Sequence, residues 1–186
     1  MKVLLAPKFI DEKTCEALNA WVDEGVEKKW LDKGYTPDGG WVCEKRFTSR
    51  PYGDRYEYPP VVYEVFDQIS TKLGLQNISK SFMGGGKDGI VVSCTLPGGD
   101  VHMHKDPMED ANLHVLRCNI MTRGADAGGD LYIGKSKIEI GVGDLHCYLP
   151  SAVEHYVTPV EGNTSRIMWM FGYKMSIAQF NTLRST

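Results

Sequence analysis

Val101-His102-Met103-His104-Lys105-Asp106, followed far downstream by His155 and Arg166, is the pattern on which the fold turns. In an extended strand, residues two apart point to the same face, with Cα atoms about 6.5–7 Å apart at ~3.3 Å rise per residue. His104 and Asp106 can then converge on one cation. His155, forty-nine residues past Asp106, can approach from a neighbouring strand of a β-barrel. Two imidazoles and one carboxylate are the donor set of the facial triad of non-heme Fe(II) oxygenases, which leaves positions open for co-substrate and oxygen.

Working outward, the chain from Ser81 onward is built of short apolar or alternating runs separated by glycine and polar turns. Residues 90–96, 113–121, 131–133, 137–140, 144–149, 155–160 and 165–174 all suit strands, and many short strands with regular turns indicate a sandwich or barrel. Ahead of them lie two helical patterns. Cys15, Leu18, Val22 and Val26 recur at three- and four-residue steps between Asp11 and Lys29, with Asp11 suited to the N-cap. Val61, Val65, Ile69 and Leu73 recur at four-residue steps, with Pro60 suited to the first turn and Gly74 to the stop. The expected architecture is mainly β with flanking helices: a double-stranded β-helix (jelly roll) with the N-terminal helices packed on one sheet. One domain over 1–186 is expected, with helical support over about 1–80 and the jelly-roll core over about 81–175.

Between the helices, residues 34–60 are punctuated by Gly34, Pro37, Gly39, Gly40, Pro51, Gly53, Pro59 and Pro60 and interleaved with tyrosines and Trp41. Regular structure is not expected over most of that span. The span reads either as a lid or binding loop, with Arg46, Arg50 and Arg55 available to an anionic substrate, or as a surface loop pinned by aromatics.

Net charge is −3 and 42% of residues are hydrophobic, so no basic excess marks a nucleic-acid binder. No run approaches the ~20 apolar residues of a membrane span, and Met1–Pro7 is too short for a signal-peptide core. Five dispersed cysteines without a Cys-x-x-Cys argue against a disulfide framework, and a cytoplasmic location is expected.

Arg166 lies eleven residues past His155. An Fe(II) enzyme using a keto-diacid needs a cation beyond the metal for the distal carboxylate, and the guanidinium offers a planar, bidentate fork. Strand alternation singles out two more residues. In the 113–121 run Leu116, Cys118 and Ile120 share one face, suited to packing beneath the helices. Arg117 and Asn119 then point into the barrel. A buried arginine needs a partner, either a bound carboxylate or an Asp or Glu of the chain.

The organisation resembles the 2-oxoglutarate/Fe(II)-dependent dioxygenases, in particular the prolyl-4-hydroxylase-like branch, over most of the chain. Phe9-Ile-Asp-Glu-Lys-Thr-Cys-Glu-Ala-Leu18 is similar to that branch's opening helix. Thr95-Leu-Pro-Gly98-Gly-Asp-Val101-His-Met-His104-Lys-Asp106 is similar to its His-x-Asp stretch, with Thr95 and Val101 where the branch usually has tyrosines. Gly128-Gly-Asp-Leu131 resembles its Gly-Gly turn, and His155-Tyr-Val-Thr-Pro159-Val160-Glu-Gly162 its distal histidine segment. The resemblance implies a jelly roll in which His104, Asp106 and His155 bind Fe(II) and act in catalysis. It also implies that Arg166 holds the C5 carboxylate of 2-oxoglutarate; strand alternation, independently of the resemblance, makes Arg117 and Asn119 further co-substrate candidates. The implied reaction uses molecular oxygen to hydroxylate a C–H bond of a prolyl, peptidyl or small-molecule substrate, releasing succinate and CO2. Gly172 stands where the nucleobase-repair branch carries a second arginine, so a nucleic-acid substrate is not expected. A competing reading uses nearly the same residues. His102-x-His104-x4-Glu109 has the spacing of the first cupin motif and Pro150-x-Ala-x-x-His155 approximates the second, which would make a three-His, one-Glu metal site.

Overall fold

Asp11 stands in an extended conformation and accepts the Thr14 N–H at 2.8 Å, opening helix α1 (Glu12–Glu27) as an N-cap should. Helix α2 (Pro60–Leu73) starts on its proline and stops at Gly74, whose φ of 67° is the left-handed cap glycine tolerates best. A short third helix, α3 (Ile177–Thr182), closes the chain behind a Ser176–Gln179 capping box. The computed structural model describes residues 2–35, 42–49, 57–81, 87–108, 110 and 112–183.

The strands are β1 (Leu4–Ala6), β2 (Asp32–Tyr35), β3 (Val42–Thr48), β4 (Ile90–Thr95), β5 (Val101–His104), β6 (His114–Arg123), β7 (Ala127–Gly128), β8 (Leu131–Ile133), β9 (Ser136–Ile138), β10 (Leu145–Tyr148), β11 (His155–Val157), β12 (Val160–Glu161) and β13 (Arg166–Met175). A seven-stranded sheet runs β1-β10-β6-β13-β4-β3-β2 and a four-stranded sheet β5-β11-β8-β9, with β12-β7 as a separate pair. From β4 onward the chain passes back and forth between the two larger sheets, and every pairing is antiparallel. This is the jelly roll.

The two faces of the large sheet do different jobs. Its outer face carries Leu116, Cys118 and Ile120 of β6, Ile167, Trp169 and Phe171 of β13 and Val92 of β4. They pack with Leu18 and Val22 of α1 and Val62, Phe66 and Ile69 of α2 into the main core. Its inner face holds Arg117 and Asn119 of β6, His146 and Tyr148 of β10 and a methionine cluster of Met121, Met168 and Met170. The alternation expected for β6 holds residue by residue.

Part of the span 34–60 is nonetheless regular. Asp32–Tyr35 and Val42–Thr48 form a hairpin that extends the large sheet, with Arg46, Phe47 and Thr48 opposite Thr95, Cys94 and Ser93 of β4. The glycines and prolines dominate the composition of the span, but Val42–Thr48 contains none and finds a ready edge in β4. Arg50 and Arg55 lie outside the described residues. Tyr58 does pin the end of the span. It is buried against Trp21 and Trp169, with ring centroids at 5.3 and 5.8 Å, and its hydroxyl donates to Ser49 Oγ at 2.8 Å. Among the described residues no helix is long and apolar enough to cross a membrane.

Candidate active site

Strands β5 and β11 pair so that His104 and His155 are direct cross-strand partners, and their ring centroids stand 4.2 Å apart. Asp106 follows two residues after His104, its backbone N–H tied to Pro150 O at 3.2 Å. Its Oδ1 lies 3.2 Å from His104 Nε2 and 3.8 Å from His155 Nε2. One ligand atom from each of the three residues falls within 4.8 Å of the others, as a single cation requires. Each imidazole is held from behind: His104 Nδ1 contacts His102 O at 2.7 Å and His155 Nδ1 contacts Val153 O at 3.4 Å. A proton on Nδ1, donated to the carbonyl, leaves Nε2 as the lone-pair donor, the tautomer a metal ligand needs.

His102 does not join them. The β5–β11 register shifts between the His155–His104 and Val157–Val101 pairs, so three steps on β5 face two on β11. Such a bulge breaks the alternation that would put His102 beside His104. His102 is exposed instead, 3.7 Å from Asp100 Oδ2. Glu109 lies outside the described residues, and the cupin ligand set is thereby left without His102.

Arg117 and Asn119 point inward from β6 as expected, but Arg117 does not wait for an outside carboxylate. Its Nη2 donates to Asp106 Oδ2. Asn119 Nδ2 donates to His146 Nε2 at 3.1 Å, leaving Asn119 Oδ1 and His146 Nδ1 without a hydrogen bond. Arg166, at the first position of β13, is 4% exposed. Its stem passes over Gly129, where a Cβ would stand 3.0 Å from Arg166 Cδ, and Gly129 has a φ of 66°. Only glycine suits that backbone and that close approach. The Arg166 Nε has no hydrogen bond, and among the described residues the guanidinium forms no ion pair. Arg46 of β3 flanks Thr95 from the other side of β4 and donates to Ser93 Oγ at 2.9 Å.

The electrostatics follow from burial and from these cations. Burial, then the repulsion of Arg117, pushes the His155 imidazolium down to about 4. Burial, then Arg166 and Arg117, pushes His146 down to about 3. Both imidazoles are therefore neutral at pH 7. Burial works to raise the Asp106 carboxyl, but Arg117 and the two histidines outweigh it and hold it well below the usual carboxylate range. Burial pulls Arg166 down to about 10, and the nearby charge of Arg46 adds to that. Burial lifts the Tyr148 hydroxyl to about 12.

His146 and Tyr148 are site residues that the motif reading passed over. Both are detectable by alternation along Leu145–Tyr148, since they share the face opposite the core residues Leu145 and Cys147. Tyr148 stands edge-on to His155 at 5.4 Å and directly opposite Arg117 in the β10–β6 register.

No family model matches the chain, and no curated protein does. Solved structures do. A prolyl hydroxylase from Trichoplax adhaerens, in complex with a hypoxia inducible factor oxygen degradation domain peptide fragment, superposes with a TM-score of 0.66 over 95% of this chain and 84% of its own. The viral collagen prolyl hydroxylase of Paramecium Bursaria Chlorella virus-1, in its 2OG complex, gives 0.60 over 95% and 97%. A Pseudomonas putida prolyl-4-hydroxylase gives 0.58 over 94% and 92%. Each is 14% identical to this chain, so the likeness is one of fold.

Proposed function

We propose that the chain is an Fe(II)- and 2-oxoglutarate-dependent dioxygenase that hydroxylates a C–H bond of a prolyl or other peptidyl substrate, or of a small molecule. The observation that carries this is the pairing of two features in one enclosed site. Three donors converge with their Nε2 and Oδ1 atoms turned together, and the buried Arg166 guanidinium forms no ion pair among the described residues, Asp130 acting on it only from a distance. A buried charge without a counter-ion is costly, so a site that keeps one is built for an anionic ligand. His146, whose Nε2 accepts from Asn119, has its Nδ1–H free to donate to a ligand oxygen, and Asn119 Oδ1, an acceptor, would be met by ordered water.

The residues present fit the group. His104, Asp106 and His155 would hold ferrous iron as neutral imidazoles and an ionised carboxylate, and Arg166 would hold the far carboxylate of 2-oxoglutarate. When bound, the iron with its co-substrate and molecular oxygen supplies the oxidative decarboxylation to succinate and CO2 and the C–H hydroxylation. The protein's own part is orientation and shelter. The carbonyls of His102 and Val153 fix the ring tautomers, and the Tyr148 ring walls His155. Side-chain exposure of 5–14% across the three donors limits water at the site. A peptidyl substrate is favoured because one fold neighbour is in complex with a peptide fragment.

The test is succinate formation from 2-oxoglutarate with Fe(II) under air, read against His104→Ala. Turnover in the native chain and none in the variant is expected. No turnover in either, with or without a panel of prolyl peptides, rejects the proposal.

A further inference from the structure

Arg117 has no assigned role in the reading above beyond a candidate contact to co-substrate, and its geometry is different from that. Its guanidinium is engaged with Asp106 Oδ2, while Asp106 Oδ1 is the oxygen that faces the two imidazoles at 3.2 and 3.8 Å. The two oxygens of one carboxylate are thus assigned to different tasks. Arg117 is itself locked: its side chain is 16% exposed, and it stands across the β6–β10 ladder from Tyr148, whose hydroxyl lies against the guanidinium.

We propose that Arg117 is a positioning residue that confines Asp106 to ligation through Oδ1 alone. Resting on the Fe(II)/2-oxoglutarate reading, this has a direct consequence for coordination. An octahedral ion offers about six positions. Three single-atom protein ligands and a two-atom keto-acid chelate leave one for oxygen. A carboxylate bound through two oxygens would fill it.

The test uses Arg117→Gln and Arg117→Lys in the full chain, with Co(II) as a spectroscopic metal and no co-substrate added. At metal saturation, Arg117→Gln should show a visible Co(II) spectrum shifted from that of the native protein, because a second Asp106 oxygen takes the place of a water ligand in the six-coordinate shell. Arg117→Lys, which keeps a cation for Oδ2, should return part of the native spectrum and carries the test alone if the glutamine variant does not fold. With Fe(II), the rate of 2-oxoglutarate consumption should fall about 10–100-fold in Arg117→Gln, the usual effect of removing a partner behind a metal ligand, with 2-oxoglutarate affinity held within a few-fold. An unchanged Co(II) spectrum overturns the proposal. An unchanged spectrum joined to weakened 2-oxoglutarate binding makes Arg117 a co-substrate ligand instead. A native chain that binds Co(II) but never consumes 2-oxoglutarate refutes the dioxygenase reading while the Co(II) comparison still decides Arg117. A native chain that binds no Co(II) refutes both.

Discussion

Arg166 is held in the barrel at a cost that the metal-free, co-substrate-free protein does not recover. Moving its titration from the usual 12.5 down to about 10 corresponds to an unfavourable burial of about 3 kcal/mol for the charged form, as an order of magnitude. Replacing even a buried ion pair by apolar side chains of similar volume is often neutral or stabilising by about 1–4 kcal/mol, and a buried charge without an ion-pair partner has less attraction to lose. Arg166→Met should therefore raise the denaturant midpoint of the unliganded protein while weakening 2-oxoglutarate binding by about 10–100-fold, the loss of a charge-assisted hydrogen bond of about 1.5–3 kcal/mol. Urea melts without ligand and calorimetric titration with it read the two halves separately. A variant that is less stable than the native chain means that Arg166 has a protein partner. Unchanged affinity removes Arg166 from the site.

At the level of elements, β6 divides the molecule's labour between its two faces. Leu116, Cys118 and Ile120 anchor the helices, and Arg117 and Asn119 face the site. Helix α1 lies wholly on the outer side, with Leu18 at 0% exposure in the main core. Leu18→Ala should destabilise by about 2–5 kcal/mol through lost burial and the cavity left behind. Co(II) affinity should stay within a few-fold, because no side chain of the triad touches that core. Chemical denaturation and a metal titration on one preparation check both. A large loss of affinity would mean that the outer core sets the donor spacing. The hairpin of β2 and β3 is the element that local reading missed. Its strand signal sits between glycine- and proline-rich stretches, and what makes it a strand is the unpaired edge of β4.

On the scale of the whole molecule, the two sheets meet at the donor cluster, so occupancy of that cluster should be felt in global stability. Co(II) at a hundred times its dissociation constant should add about 2.7 kcal/mol, which for a chain of this size is about 5–10 °C in Tm. The same addition to His155→Ala should give almost no shift. Acid works in the opposite sense. His146 and His155 have folded values of about 3 and about 4, below the ~6.5 of an unfolded histidine. The unfolded state therefore binds more protons between pH 6.5 and 4. The stability they contribute is full above 6.5 and is lost as pH falls through that window. About 2 kcal/mol per histidine should be gone by pH 5 in the metal-free protein. Asp106, held ionised well below the usual carboxylate range, adds to the same loss only below about pH 5, where an unfolded aspartate begins to protonate. Urea melts at pH 7.5 and 5.0 measure it, and a flat profile would show that the two rings take up protons in the fold as readily as in the unfolded chain.

What the amino-acid order determined by itself is local and periodic. The three-to-four-residue recurrence made α1 and α2, with Asp11, Pro60 and Gly74 marking their ends, and two-residue alternation sorted β6 into a core face and an inner face. The His-x-Asp spacing with a distant His named three residues whose ligand atoms lie within 4.8 Å of one another. Periodicity is a property of neighbours in the chain, so these features needed no partner to be read. Only the tertiary structure decided that a bulge in β5 turns His102 to solvent, that Arg117 meets Asp106, that His146 and Tyr148 complete the inner wall, and that β3 is a strand at all. Each of these depends on which strands pair and in what register, an outcome set by burial and hydrogen bonding across residues tens of positions apart.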